Sequence, residues 1–271
     1  MHWIAAVERL RREREAGVLV TVADVRGHAP RDAGAKMVVA ADRTWGSIGG
    51  GNLEETAVAR ARAMLDSAAP GPEQLTLGLS DKTRTEHGRQ CCEGEVTVLL
   101  EPLSVVPAVS IFGVGHVGLE LARILVRHDL ELHLVDSRAE QLTAERLACL
   151  DDGEGAVRVH HSPVPELALG AVPAGTHVLV MTHDHAEDFA ICDAALRCRH
   201  LGSTGLIGSA AKWARFRSGL LVEGHDETTI GRIRSPIGAR GLDGKEPATI
   251  AVSVAAELLR LFAAERARAD A

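Results

Sequence analysis

The sequence predicts an α/β protein in two parts: an N-terminal α+β domain over residues 1–104, then a Rossmann-type, doubly wound parallel-sheet domain over 105–271. Three observations predict it. A glycine loop, Gly113-Val114-Gly115-His116-Val117-Gly118, lies between an apolar run and a helical stretch whose Val117, Leu121, Ile124 and Leu125 share one face. Beyond Ser104, β-branched runs alternate with helical stretches, as a parallel sheet covered on both faces requires. Before it, short strand-like runs follow one another between turn signals.

In chain order, residues 2–16 carry Ile4, Val7 and Leu10 at helical spacing, and Val18 to Val22 reads as a buried strand. Gly27-His28-Ala29-Pro30 and Asp32-Ala33-Gly34 mark a loop before two strands, Lys36–Ala40 and Thr44–Ile48. Gly49-Gly50-Gly51 leads into a helix to Leu65, where Asn52 and Glu55 have capping-box spacing. Strand-like runs Gln74–Leu79 and Glu95–Leu100 enclose a polar segment that contains Cys91-Cys92. Further on, strands are expected at Val109–Phe112, Leu132–Val135, Val157–Val159, His177–Met181 and Ser203–Ile207. Helices are expected to His128, over Glu140–Leu147, to Leu196 and to Leu221, and the apolar Ala248–Ala264 reads as a buried terminal helix.

Composition narrows the function. A net charge of -7, scattered arginines, 3% aromatics and no tyrosine speak against a nucleic-acid partner. The charges at Glu8 and Arg9 come too early for a signal-peptide core, and no run of about 18 uninterrupted apolar residues is present, so no membrane partner is expected. Five cysteines without framework spacing suit a reducing, cytoplasmic setting.

Asp136 follows Gly118 at the end of the second strand, where the dinucleotide fingerprint places the acid that binds ribose hydroxyls; it would favour NAD over NADP. Two more strand ends open on the same crevice. One carries Thr182-His183-Asp184-His185, where Asp184 is either a helix cap or a crevice residue and the i, i+2 histidines His183 and His185 can suit a metal. The other carries Gly208-Ser209 and Lys212; Ser209 is a cap or a ligand contact, and Lys212 either neutralises a phosphate or faces solvent. Gly49, Gly50 and Gly51 form either an amide nest for an anion or a tight bend, with Glu54 facing the ligand or complementing the helix dipole. Cys91 or Cys92, flanked by His87 and Arg89, can act as a thiolate, soft metal ligand or sulfur carrier; Cys149, Cys192 and Cys198 read as structural.

Together these motifs resemble the XdhC/CoxI family of xanthine dehydrogenase accessory proteins. The resemblance rests on Gly46-Ser47-Ile48-Gly49-Gly50-Gly51-Asn52-Leu53-Glu54, on Asp136-Ser137-Arg138 and on Met181-Thr182-His183-Asp184-His185. Gly205-Leu206-Ile207-Gly208-Ser209, Ser235-Pro236-Ile237-Gly238 and Ile250 to Glu257 follow in the family's order. It implies a homodimeric chaperone that binds the molybdenum cofactor in its molybdopterin form. Such a chaperone protects the cofactor, supports its sulfuration by a cysteine desulfurase and delivers it to apo-xanthine dehydrogenase. Gln90-Cys91-Cys92-Glu93-Gly94 stands where the family carries Cys-Gly-Gly, so the molybdenum-approaching cysteine is Cys91 or Cys92; Ala210-Ala211-Lys212-Trp213 is less basic than in many relatives. The competing readings are an NAD(P)-dependent oxidoreductase, which lacks a positioned Tyr-Lys pair here, and a nucleotide-sensing regulatory domain.

Overall fold

The computed structural model describes residues 2–67, 71–79, 94–239, 241–242 and 244–269. They form two compact units, Met1–Val105 with Ala263–Ala271, and Val106–Phe262.

The first unit opens with helix α1 (Trp3–Glu13) and strands β1 (Gly17–Gly27), β2 (Lys36–Val39) and β3 (Thr44–Gly46). Helix α2 (Gly51–Leu65) and strands β4 (Glu73–Gly78) and β5 (Gly94–Leu103) complete it. The strands make one antiparallel sheet in the order β3-β2-β1-β5-β4. Side chains alternate across a strand, so β1 serves two layers. Val18, Val20 and Val22 share a core with Leu53, Ala57, Ala61 and Met64 of α2, while Leu19 packs with Ala6 and Leu10 of α1. β1 is longer than the Val18–Val22 run foretold, because its distal half pairs with β5 after a register shift between Val22 and Asp24. The Asn52–Glu55 capping box is not formed. Gly50 is the N-cap of α2, in a left-handed conformation at φ 73°, and the helix starts one residue before Asn52.

The second unit contains β6 (Ala108–Phe112), α3 (His116–Leu125), β7 (Glu131–Asp136), α4 (Ala144–Leu147) and β8 (Ala156–His161). After these come β9 (His177–Val180), α5 (His185–Arg197), β10 (Ser203–Leu206), α6 (Ala210–Val222), α7 (Glu227–Ile230), β11 (Ile233–Arg234) and α8 (Pro247–Ala269). The strands are parallel in the order β11-β10-β9-β6-β7-β8, the doubly wound arrangement that the sequence predicts. The helix foretold over Glu140–Leu147 is instead a 3-10 turn at Ala139–Leu142, the four-residue α4, and a second 3-10 turn at Ala148–Leu150. Thr143, in an extended conformation, breaks the run and caps α4.

Both faces of this sheet are covered, which is why its strands read as apolar runs rather than alternations. On one face Val109, Ile111, Leu132, Leu134 and Leu179 meet α3 and the Ala251, Val254, Ala255, Leu258 and Phe262 stripe of α8. On the other, Phe112, Val135, Val178, Val180 and Leu206 meet α5 and α6 through Ile191, Cys192, Phe216 and Leu220. The segment Pro247–Glu265 of α8 is long and apolar enough to cross a membrane by length and composition, but its apolar stripe is core.

Cys192 is fully buried, and burial, reinforced by the Asp188 charge, pushes its thiol up to about 12. A thiolate is the reacting species, so Cys192 should stay unmodified by iodoacetamide in the native protein and react only in denaturant, while the exposed Cys149 reacts at once. Peptide mass mapping of both samples checks this; native labelling of Cys192 at the rate of Cys149 would contradict the packing.

Candidate functional site

Strand order reverses between β6 and β9, and ligands of doubly wound sheets sit at the carboxyl ends of strands at such a point. The glycine loop lies there. Gly113, at φ 101°, lets the backbones of β6 and β9 close up: a Cβ would collide with the Met181 carbonyl and lie 2.6 Å from the Thr182 Cα. A side chain at Gly118 would strike the Gly113 carbonyl, so that glycine allows α3 to pack against the turn. Gly115 differs from both. A Cβ there would meet within 4 Å only the Arg138 guanidinium, at 3.9 Å. Gly115 is also the N-cap of α3 and brings no capping side chain, so the helix presents its positive end to this space.

Asp136 does not present a free carboxylate to that space. It is 3% exposed. Its Oδ2 accepts from the Val114 amide at 2.7 Å and Arg138 Nη2 at 3.1 Å; its Oδ1 accepts from the Arg138 amide and Nε, both at 3.0 Å. Burial alone would push the carboxyl up, but the Arg138 guanidinium and the two amides outweigh it and hold it below the usual carboxylate range. Ionised Asp136 therefore contributes stability above its unfolded value of about 3.9, and that stability is lost only as pH falls through the lower folded value. Asp136, foretold as the ribose-binding acid, serves in this structure as an internal clamp on the loop. Arg146 braces the same loop from the helical side, through Nη2 to the Val114 carbonyl at 3.3 Å.

At the next strand end a carboxylate that sequence reasoning missed is the hub. Asp188 is fully buried. Its Oδ1 accepts from the Thr182 amide at 2.9 Å and hydroxyl at 2.8 Å, and its Oδ2 pairs with Lys212 Nζ at 2.5 Å. Lys212 also donates to the Ile207 carbonyl at 3.0 Å, so its charge ties β9 to β10 rather than facing solvent. Asp184 and Ser209 are caps, accepting from the Ala186 and Glu187 amides and from the Lys212 amide respectively. His183 lies 3.8 Å from Glu187 and His185 bonds Arg215 at 3.0 Å, so each imidazole meets a partner of its own. Among the described residues no group of three potential ligands can hold a metal.

In the first unit the triple glycine is an amide nest, but it carries its own anion. Glu54 Oε2 accepts from the Gly50 and Ile48 amides, each at 3.1 Å, and from the Ser47 hydroxyl at 2.6 Å. Glu54 thus faces the nest as its occupant, and Gly49, Gly50 and Gly51 serve the bend into α2. Cys91 and Cys92 lie outside the described residues. A shallow depression of about 310 Å³ beside α3 is lined by His116, Glu120, Arg146 and Glu246; its two carboxylates make it a poorer seat for an anion than the space at Gly115.

The structure thus brings Gly113, Gly115, Gly118, Asp136, Ser209 and Lys212 to one end of one sheet, with His183 and His185 on its rim. It adds Arg138, Arg146, Thr182 and Asp188. Arg138 had a local signal, two residues beyond the fingerprint acid; Asp188 had none, because its partners come from two other segments.

Removing one partner of a buried ion pair leaves an uncompensated charge and costs about 3–5 kcal/mol. Asp188→Asn and Lys212→Met should each lose that much in urea unfolding, and the combined Asp188→Asn, Lys212→Met variant should lose less than the sum of the two. Strict additivity of the two changes would refute the coupling.

The sequence profile described as the XdhC Rossmann domain matches residues 109–258, and that of the XdhC and CoxI family matches residues 10–78. The uncharacterized protein YqeB of Escherichia coli K12 is 24% identical over 244 residues, which is 90% of this chain and 43% of YqeB, so the chain spans under half the length of that curated relative. A Bacillus halodurans structure described as a xanthine dehydrogenase is 20% identical, with a TM-score of 0.49 over 97% of this chain and 96% of that one. The tRNA N6-threonylcarbamoyladenosine dehydratase of E. coli is 17% identical, with a TM-score of 0.44 over 60% of this chain and 88% of the other. With one profile spanning more than half of its length and another its N-terminal part, this chain belongs to the XdhC and CoxI family.

Proposed function

We propose that this chain is a molybdenum-cofactor chaperone. It binds the molybdopterin form, shields it, supports its sulfuration by a cysteine desulfurase and passes it to apo-xanthine dehydrogenase. Family membership supports an accessory role for xanthine dehydrogenase. The observation that carries the finer reading is the open space at Gly115, where the α3 N-terminus and the Arg138 guanidinium converge at a strand-order switch. Molybdopterin ends in a phosphate, an anion that a helix N-terminus and a guanidinium can both attract.

The fit is selective. The Gly49–Gly51 nest is filled by Glu54, so phosphate recognition falls to the second unit. Buried Cys192, with its thiol pushed up to about 12, does not suit a soft metal; the family resemblance points to Cys91 or Cys92 for the approach to molybdenum. When bound, the cofactor supplies a molybdenum centre open to sulfur ligands. The chain's own residues bind and orient its phosphate end. In this reading the protein works in the cytoplasm as a homodimer and is not itself the enzyme.

The strand order and glycine loop also favour an NAD(P)-dependent oxidoreductase. The engagement of Asp136 by four donors weighs against the NAD form.

Protein purified from a host that makes molybdopterin, then oxidised with acidic iodine, should release a fluorescent pterin. Either Cys91→Ser or Cys92→Ser should lower transfer of active cofactor to apo-xanthine dehydrogenase by about tenfold or more, consistent with loss of a metal–thiolate contact. Absence of pterin from the wild type, with NADH-dependent turnover of a carbonyl substrate, would overturn the proposal in favour of the oxidoreductase.

A further inference from the structure

We propose that strand β8 is a proton-released latch: the His133–His160 pair clips it to β7 while at most one of the two rings is charged, and acidification that charges both rings frees the strand. The latch lies at the far edge of the parallel sheet and does not depend on what the second unit binds.

β8 ends the strand order β11-β10-β9-β6-β7-β8, and among the described strands it pairs with β7 alone. Its Ala156, Arg158, Val159 and His161 are exposed, so little apolar burial holds it in place. Side-chain pairs across the ladder therefore matter more here than in the covered strands. Two such pairs form on the face that Arg158 and His160 share, and both reach buried polar residues of β7. Arg158 pairs with Glu131. The half-buried His160 stacks against His133, which is 2% exposed, with ring centroids 5.2 Å apart and planes within 13°. His133 Nδ1 and His160 Nε2 lie 3.0 Å from each other.

A contact of that length between two ring nitrogens holds one proton. In the neutral pair one ring donates and the other accepts. One added proton leaves the contact whole, because the charged ring still faces an acceptor. A second would set two N–H groups against each other and place two imidazolium charges side by side. Separated rings have no such limit, and each takes its own proton near the ordinary imidazole value of about 6.5. Opening of β8 therefore takes up protons, and acid favours it.

The neighbouring charges act in the same direction. Glu131 Oε1 lies 3.3 Å from His133 Nε2 and can steady one imidazolium, but it already carries Arg158. Burial, reinforced by the Arg158 charge, holds His160 below the usual imidazole range. From β6, Ser110 stands in register with His133; its buried hydroxyl has no partner among the described residues and brings no charge. The 3-10 turn Pro165–Gly170, packed on β7, carries one titratable side chain, Glu166. The Ala139–Leu142 turn, also packed on β7 and β8, carries Glu140, whose charge acts on Arg138. His161, next along β8, points to the opposite face and meets the Ser137 carbonyl through Nε2 at 3.2 Å. A carbonyl only accepts, so that nitrogen keeps its proton in the neutral and the charged ring alike, and the bond survives acid. With the folded value of His160 below that of a free imidazole, closure is fully favoured above about pH 6.5 and weakens as pH falls below it. The open pair then holds at least one proton more than the closed one, so the open population rises about tenfold or more per pH unit.

Hydrogen–deuterium exchange of the full chain between about pH 7.5 and pH 5, corrected for the intrinsic pH dependence of exchange, reads this opening. The β8 peptide should lose protection about tenfold or more per pH unit below about pH 6.5, while the β9 peptide keeps its own. His160→Gln sets an uncharged amide where Nε2 stands and should remove the dependence, with the fold checked by circular dichroism. His161→Gln should leave the dependence in place. Nitrogen-15 NMR of the wild-type imidazoles needs no variant: the pair should hold no more than one added proton while β8 stays protected. Constant protection of β8 down to about pH 5, an equal dependence in folded His160→Gln protein, or its loss in His161→Gln would each overturn the latch. So would loss of β9 protection in step with β8, or two charged rings under a protected β8.

Discussion

An ionised carboxylate withdrawn from water must be surrounded by donors, and the second unit is organised around that requirement at Asp136. The bonds from the Val114 amide and from Arg138 satisfy the charge, and in doing so they fix the glycine loop to the end of β7. The loop in turn sets how closely β6 can approach β9, because Gly113 leaves no room for a side chain against Met181. Helix α3 leaves the same turn, and its packing depends on Gly118 lying against the Gly113 carbonyl. One buried charge thus positions the turn, the first helix and the crevice between the two halves of the sheet.

The same solution recurs at two other loops. Asp188 holds the Thr182 turn and pairs with Lys212, and Glu54 holds the bend before α2. Each carboxylate takes backbone amides that would otherwise lie unpaired where a strand hands over to a helix. Such amides attract anions in general. In this chain the anion is internal at Gly50, whereas no side chain caps the helix at Gly115.

Much of the fold is legible in the sequence. The apolar runs of β6, β7 and β9, the glycine spacing and the 3.6-residue stripe on α3 report geometry that each segment carries alone, and the structure agrees with them. The stretch after Asp136 was less legible: its composition favours helix, but Thr143 caps a new start and divides it into short turns. The candidate site was legible by place and less so by role. Spacing located Asp136, Glu54, Ser209 and Lys212, yet whether a carboxylate faces a ligand or a neighbouring amide depends on partners brought together by folding. Lys212 and Asp188 lie far apart in the chain and meet through two strand ends, a relation that no local pattern encodes.

The internal anion at Glu54 has a thermodynamic corollary. A ligand stabilises whatever folded element it binds in preference to the unfolded chain. A nest already filled by a tethered carboxylate, whose effective concentration far exceeds that of a dissolved ion, gains nothing from added phosphate. The Ser47–Glu54 bend therefore carries its own counter-charge within the fold of its unit. At Gly115 of the other unit the start of α3 has no side-chain anion of its own, so the two halves of one chain begin a helix by different electrostatic means.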